Sequence, residues 1–126
     1  MNVADSSGWL SYFAGDANAN QFAPIIQATD TLVVPTICIY EVFKRILVQR
    51  GEEAALQAVG VMSLGVRADL TQAIAINAAR ISSARKLAMA NSIILATARA
   101  HKAILWTQDA DFEGIAGVEY ISKSHA

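Results

Sequence analysis

Apolar positions along the chain fall into two kinds of segment that take turns: short β-branched runs and longer stretches of helical period. Residues 2–5 read as a short strand that ends on an acid, Asp5. Ser6 and Ser7 are good N-cap types, and Trp9, Leu10 and Phe13 behind them share one helical face. Residues 18–28 carry Phe22, Ile25 and Ile26 at helical spacing, with Pro24 better suited to the first turn than to the middle. Leu32-Val33-Val34, closed by Pro35, is a second strand. Thr36 then caps a helix reaching Arg50, with Ile39, Val42, Phe43 and Ile46 as its apolar stripe and Glu41, Lys44, Arg45 and Val48 on another face. Gly51 interrupts it, and residues 52–62 resume as helix with two acids in the first turn, where the helix dipole favours them. A strand is expected at 64–66. Asp69 is read as the cap of a helix carrying Leu70, Ile74 and Ala78 to about Ser82, and residues 89–101 as a further helix. Strands at 103–107 and 118–121 complete the series. This alternation predicts an α/β fold, one domain over residues 1–126, with a central parallel sheet of four to five strands flanked by helices.

Composition narrows the class. A 54% hydrophobic chain with a mean hydropathy of +0.35 is too rich in apolar residues to be disordered. Its longest charge-free stretches, 17–29 and 54–66, fall short of the about 20 residues of a membrane helix, and the start lacks a basic secretory region. The lone Cys38 offers no disulfide framework or metal cluster, suits a reducing cytoplasm, and is most simply a small buried hydrophobe. The expectation is a cytoplasmic protein that does not span a membrane. The net charge of −1 does not announce a nucleic-acid binder, yet it becomes +3 for the remainder once Asp5, Glu41, Asp109 and Asp111 are set aside.

Those four acids are the informative feature. In open α/β sheets ligands bind beyond the C-terminal ends of the strands. Asp5 ends the first strand, Glu41 lies early in the helix after the second, and Asp109 and Asp111 follow the strand at 103–107. Carboxylates gathered on one edge raise one another's pKa, a conflict that a hard cation such as Mg²⁺ or Mn²⁺ resolves. Such an ion supports phosphodiester hydrolysis. Each acid also has a plainer reading: Asp5 as a strand-end cap, Glu41 as a partner of Lys44 or Arg45, Asp109 and Asp111 as turn acids.

The same residues carry a family resemblance. Val3-Ala4-Asp5-Ser6-Ser7, Tyr40-Glu41-Val42 and Thr107-Gln108-Asp109-Ala110-Asp111-Phe112 stand in the order and spacing of the PIN-domain ribonucleases. Over essentially its whole length the chain most resembles the small VapC-type toxins of prokaryotic toxin–antitoxin pairs. The resemblance implies an endoribonuclease that cleaves RNA to inhibit translation and growth, leaving a 5′-phosphate and a 3′-hydroxyl. It implies that Asp5, Glu41 and Asp109 form the catalytic cluster and that Asp5, Asp109 and Asp111 hold Mg²⁺ or Mn²⁺. Ser6 is the hydroxyl residue that follows the first acid, and Thr107 supports the cluster by hydrogen bonding. It further implies a homodimer and a cognate antitoxin whose C-terminal segment lies in a groove by the active site.

One position departs from the pattern. The family opens a late helix with Asp-Ala-x-Ile-Ala-Ala-Thr-Ala or similar, and here Asn91-Ser92-Ile93-Ile94-Leu95-Ala96-Thr97-Ala98 stands instead. Asn91 can accept or ligate through its carbonyl but carries no charge, so metal binding should weaken while carboxylate repulsion is relieved. Either Asn91 is an introduced exchange that disables an RNA-cleaving toxin, or it is natural and marks a weakened nuclease or a non-catalytic regulatory module. A metal-dependent phosphatase is a third class, although nothing else supplies its nucleophile and Lys pattern.

Lys44, Arg45, Arg85, Lys86 and Arg99 are the candidate RNA-binding cations, each also readable as an ordinary solubilising charge. His101 and His125 are poor general-base candidates, and Trp106 reads as core packing rather than base stacking. Trp9, Phe13, Ile37, Cys38, Tyr40 and Phe43 include candidate surplus apolar surface for an interface.

Overall fold

A computed structural model describes residues 1–123; His125 lies outside them. The order is β1 (Asn2–Ala4), α1 (Ser6–Ala14), α2 (Ala19–Gln27), β2 (Val33–Pro35), α3 (Thr36–Arg50), α4 (Glu52–Met62), β3 (Val66–Ala68), α5 (Gln72–Arg85), α6 (Met89–Ala100), β4 (Ile104–Thr107) and β5 (Val118–Tyr120). Short 3-10 turns occupy Thr29–Thr31 and Ala110–Phe112.

All five strands run parallel, as the helical crossovers between them require. β1, β4 and β5 form one three-stranded sheet in that order, with Val3 opposite Leu105 and Leu105 opposite Val118. β2 and β3 form a second ladder, joined to the first by a single parallel bridge between Asn2 and Leu32. The expected sheet of four to five strands is therefore three paired strands with a two-stranded extension. Counted across the bridge, the order is β3-β2-β1-β4-β5. The chain leaves β1 towards β2 and later returns to pair β4 on the other side of β1. The crevice beyond the C-terminal ends of β1 and β4 is thus the topological switch point, where open α/β sheets bind ligands.

The strands are short, and the central ones are buried. Val3, Val33, Val34 and Leu105 are buried and share one core with Trp9, Phe22, Val42, Leu95 and Phe112. α6 is buried from Ser92 to Ala98, and its hydroxyls are satisfied internally: Ser92 donates to the Ala88 carbonyl and Thr97 to that of Ile93. Asn91, one residue earlier, is therefore held on a rigid element.

Several boundaries differ from expectation, each for a local reason. Asp5, rather than Ser6 or Ser7, caps α1, because its carboxylate accepts from the Gly8 amide. Thr36 is already helical, and no side chain caps α3. Thr71 caps α5 through the Ile74 amide, while Asp69 pairs with Arg67, and Leu70 stands exposed before the helix. The third strand begins at Val66 rather than 64, where Gly65 makes a close approach to Val34 and Leu32. Trp9 and Cys38 are fully buried and leave the list of surplus apolar residues, whereas Tyr40 stays exposed.

Two glycines give a direct test of packing. A Cβ on Gly8 would stand 2.7 Å from Cε1 of the fully buried Phe22 ring, whereas one on Gly60 meets nothing. Gly8→Ala should destabilise by about 1–3 kcal/mol, because the ring has no room to shift. Gly60→Ala, inside α4, should stabilise by about 0.5–1 kcal/mol. Urea midpoints of the two variants are expected to move in opposite directions.

Candidate active site

The parallel ladder brings the first acid into place. Beyond the Ala4–Trp106 pair, the Asp5 amide donates to the Trp106 carbonyl at 3.1 Å, so Asp5 enters the crevice beside the end of β4. Its side chain is almost entirely buried, and both carboxylate oxygens are held. Oδ1 accepts from the Ser7 hydroxyl at 2.7 Å and the Gly8 amide at 2.9 Å, and Oδ2 accepts from Thr107 Oγ1 at 2.6 Å. Burial pushes its pKa up from 3.8 to about 6; the hydrogen bonds from Thr107, Ser7 and Gly8 pull it down, and the charge of Asp109 adds to the rise.

Thr107 joins the first acid to the next. While its hydroxyl donates to Asp5, it accepts from the Asp109 amide at 2.9 Å. Asp109 Oδ1 accepts from the Asp111 amide at 2.9 Å and so caps the turn Ala110–Phe112 that buries Phe112. Asp109 Oδ2 accepts from Nδ2 of Asn91, at the first turn of α6, at 3.3 Å. Residues 5, 91, 107 and 109 are therefore linked by hydrogen bonds.

Glu41 joins through a hydroxyl. Ser6 donates to Glu41 Oε1 at 2.6 Å, tying the start of α1 to α3. No ion pair links Glu41 to Lys44 or Arg45 among the described residues; Lys44 instead stands 5.8 Å above the Tyr40 ring. Cys38 lies close enough for Asp5 and Glu41 to act on it, and burial pushes its thiol well above the usual range. A thiol so shielded is not a nucleophile. Asp111 is exposed.

The cations divide. Arg45 lines a cavity with Ser7 and Gln108, next to the acids. Arg85 and Lys86 end α5 near the start of α6, the end that carries Asn91. Arg99 is at the other end of α6, where it lines a separate cavity with Asn77 and Arg80. His101 places Nδ1 2.9 Å from the Thr97 carbonyl at the end of the same helix. Trp106 is half-buried, its indole nitrogen donating to Asn2.

Two polar residues escaped the sequence reading. Gln108 donates through its amide to Ser7 Oγ and through Nε2 to the Ser7 carbonyl, both at 3.3 Å. The buried Asn18 donates to Gln108 Oε1 at 2.9 Å and to the Ser122 carbonyl at 3.1 Å. Ser7 thereby becomes the end of a relay that fixes Asp5. Asn18 stands at the N-cap position of α2, which was its one visible signal; its side chain is used across the crevice instead.

Among the described residues no group of three or more His, Cys, Asp or Glu side chains is placed to hold a metal ion. The donor set nevertheless suits a hard cation, since Mg²⁺ commonly takes one or two protein carboxylates beside neutral oxygens. Asp5 and Asp109 supply the carboxylates, and the Asn91 amide oxygen is the neutral donor. No Lys or Arg pairs with Asp5 or Asp109 among the described residues, so their charge lacks a cation.

The raised pKa of Asp5 has a consequence for stability. The folded protein keeps this proton to about pH 6, whereas the unfolded chain releases it near 3.8. Stability from the protonated form is fully present below the unfolded value and is lost as pH rises through 6; the shift corresponds to about 3 kcal/mol. Asp5→Asn should therefore be more stable than the parent by up to about 3 kcal/mol at pH 7.5 in EDTA, the advantage fading by pH 4. Urea titrations at the two pH values read this directly, and a difference independent of pH would show Asp5 ionised throughout.

No curated protein sequence matches the chain. The toxin–antitoxin complex from Klebsiella pneumoniae is similar at 26% identity and a TM-score of 0.79, over 96% of this chain and 100% of that one. The sarcin–ricin loop cleaving toxin VapC20 of Mycobacterium tuberculosis matches at 15% identity and 0.75, over 92% and 95%. DNA-bound VapBC from Salmonella typhimurium matches at 18% and 0.74, over 97% and 98%. The expected likeness to VapC-type toxins is borne out in these folds. The family model of the PIN domain matches residues 3–118, a span that takes in Asp5, Glu41, Asn91 and Asp109, and the chain belongs to the PIN-domain family.

Proposed function

We propose that this chain is the ribonuclease toxin of a toxin–antitoxin pair, its activity weakened or lost through Asn91. In this reading it is a cytoplasmic homodimer restrained by a cognate antitoxin, and its substrate is RNA. The observation that carries the reading is the meeting of Asp5, Asn91 and Asp109 at the switch point, with Thr107 bridging Asp5 to Asp109 and Asn91 3.3 Å from Asp109. Support for an RNA substrate and a protein partner comes from similar structures, which include a sarcin–ricin loop cleaving toxin and toxin–antitoxin complexes. No helix of the described residues is long and apolar enough to cross a membrane.

Asp5 and Asp109, with the Asn91 amide oxygen, are the residues that would hold Mg²⁺ or Mn²⁺. When bound, such a cation activates water and offsets the charge that develops on a phosphodiester. The chain's own residues supply position. Thr107, Ser7 and Gly8 fix both oxygens of Asp5 before any ligand arrives, which removes the cost of ordering them later. Ser6 holds Glu41 in place, and its carboxylate would take a proton from an incoming water. Asn91 holds Asp109, but through a donated N–H that covers an oxygen a cation would use.

That last contact also favours a second reading, a non-catalytic PIN module whose acid pair is satisfied without metal. Calorimetry with Mg²⁺ and Mn²⁺ on this chain and on Asn91→Asp, with RNA cleavage in parallel, separates the two. Asn91→Asp puts a second carboxylate against Asp109, so it should lose about 1 kcal/mol of stability in EDTA and regain it with Mg²⁺. It should also bind metal more tightly and cleave RNA, and adding Asp5→Ala should abolish cleavage. If both chains ignore metal and the RNA survives, the non-catalytic reading stands.

A further inference from the structure

The cavity that Arg45 lines beside the acids is a groove with a character of its own. It is a cavity of about 340 Å³ walled by α1 and α3 and closed at one end by Gln108 and Lys123. Leu10, Phe13 and Ile46 supply its apolar lining. Its polar rim holds three cations, Arg45, Arg50 and Lys123, all exposed. Among the described residues none of the three makes an ion pair, since the only one runs from Arg67 to Asp69. The single lining acid, Asp16, accepts from the Ser11 hydroxyl and the Asn18 amide and so is engaged within the chain.

The groove is continuous with the candidate active site. Ser7, Gln108 and Lys123 also line a second cavity, of about 520 Å³, that contains Asp109. Lys123 thus stands where the two spaces meet, and Ser7, which holds Asp5, forms part of the wall of both. In a chain of net charge −1, three cations without anionic partners beside a carboxylate crevice are a local concentration of positive charge.

We propose that this groove binds the phosphate backbone of single-stranded RNA on one side of the bond presented to the acids, with Arg50 and Lys123 as its anchors. The proposal rests on the ribonuclease reading and adds the path of the substrate. Cations along the rim neutralise successive phosphates. The acids repel a polyanion, so a strand reaches them only where cations hold it from the side. A lining of apolar residues and unpaired cations is what single-strand channels use. Arg45 and Gln108 complete the rim nearest Asp5.

The test needs no catalysis. Anisotropy of a fluorescein-labelled single-stranded RNA of about 12 nucleotides, in EDTA over a range of salt, reports affinity and the number of phosphates neutralised. Arg50→Ala combined with Lys123→Ala should weaken binding by roughly ten-fold near 0.1 M salt and lower the salt slope by about 1.4, as each phosphate contact contributes about 0.7. Arg67→Ala with Arg80→Ala changes the net charge equally and should leave the slope unchanged. Arg50→Lys, which keeps the charge, should keep the slope. Unchanged affinity and slope in the Arg50/Lys123 variant would overturn the proposal while the ribonuclease reading survives, as when a protein partner occupies the groove instead. An unsubstituted chain that binds no RNA at any salt would overturn both.

Discussion

The hydroxyl of Thr107 sits where two opposing demands meet. Fully buried at the end of β4, it donates to Asp5 and accepts from the backbone of Asp109, so one oxygen atom positions two segments that repel each other. Without that donor, one oxygen of Asp5 would be buried with nothing to answer it, a loss of about 1–3 kcal/mol for a neutral group and more for a charged one. The contact itself depends on the parallel pairing of β1 with β4, because only that register places Asp5 alongside Thr107. The crossover that carries the chain from β3 past β2 and β1 to β4 creates the crevice, and Thr107 closes its floor.

Seen from that contact, structural and functional accounts of the acids are not rivals. Asp5 caps α1, and Asp109 caps the turn that seats Phe112 in the core. A carboxylate that caps a helix is held in one rotamer by backbone N–H groups. It therefore meets a ligand with its entropy already spent. Glu41 follows the same logic with a different donor: its partner is the Ser6 hydroxyl rather than Lys44 or Arg45. A neutral donor holds the side chain while leaving its charge uncompensated, which an ion pair would not.

The strands were legible because β-branched runs closed by Pro35 or flanked by turns leave few alternatives, and their alternation with helices fixed the parallel class. Caps were less so. Ser6, Ser7 and Asp69 are all good cap types, but which oxygen bends back to a helix depends on its tertiary neighbours. Ser6 turned to Glu41 and Ser7 to Asp5, while Asp69 turned to Arg67. The break in the sheet between β1 and β2 is likewise a matter of distance along one edge, which periodicity does not encode. At the site, the acids showed in sequence because each follows a predicted strand. Gln108 and Asn18 did not, since a polar residue in a turn has the same local signature whether it faces water or crosses a crevice. Arg50, at the end of α3, and Lys123, just after β5, are far apart in the chain, and only the tertiary fold brings them to one cavity.

Asn91 is then the position at which stability and chemistry pull apart. Carboxylates gathered around one crevice repel one another, and either a cation or hydrogen-bond donors must answer them. This chain answers them with donors. Asp5 is surrounded by donors, Glu41 takes a hydroxyl, and Asp109 takes an amide N–H from α6. An amide is close to a carboxylate in shape, but at this position it gives a hydrogen rather than an electron pair. A neutral side chain at this position adds no further negative charge to the crevice. The position therefore serves the packing of α6 and the placement of Asp109 through one hydrogen bond.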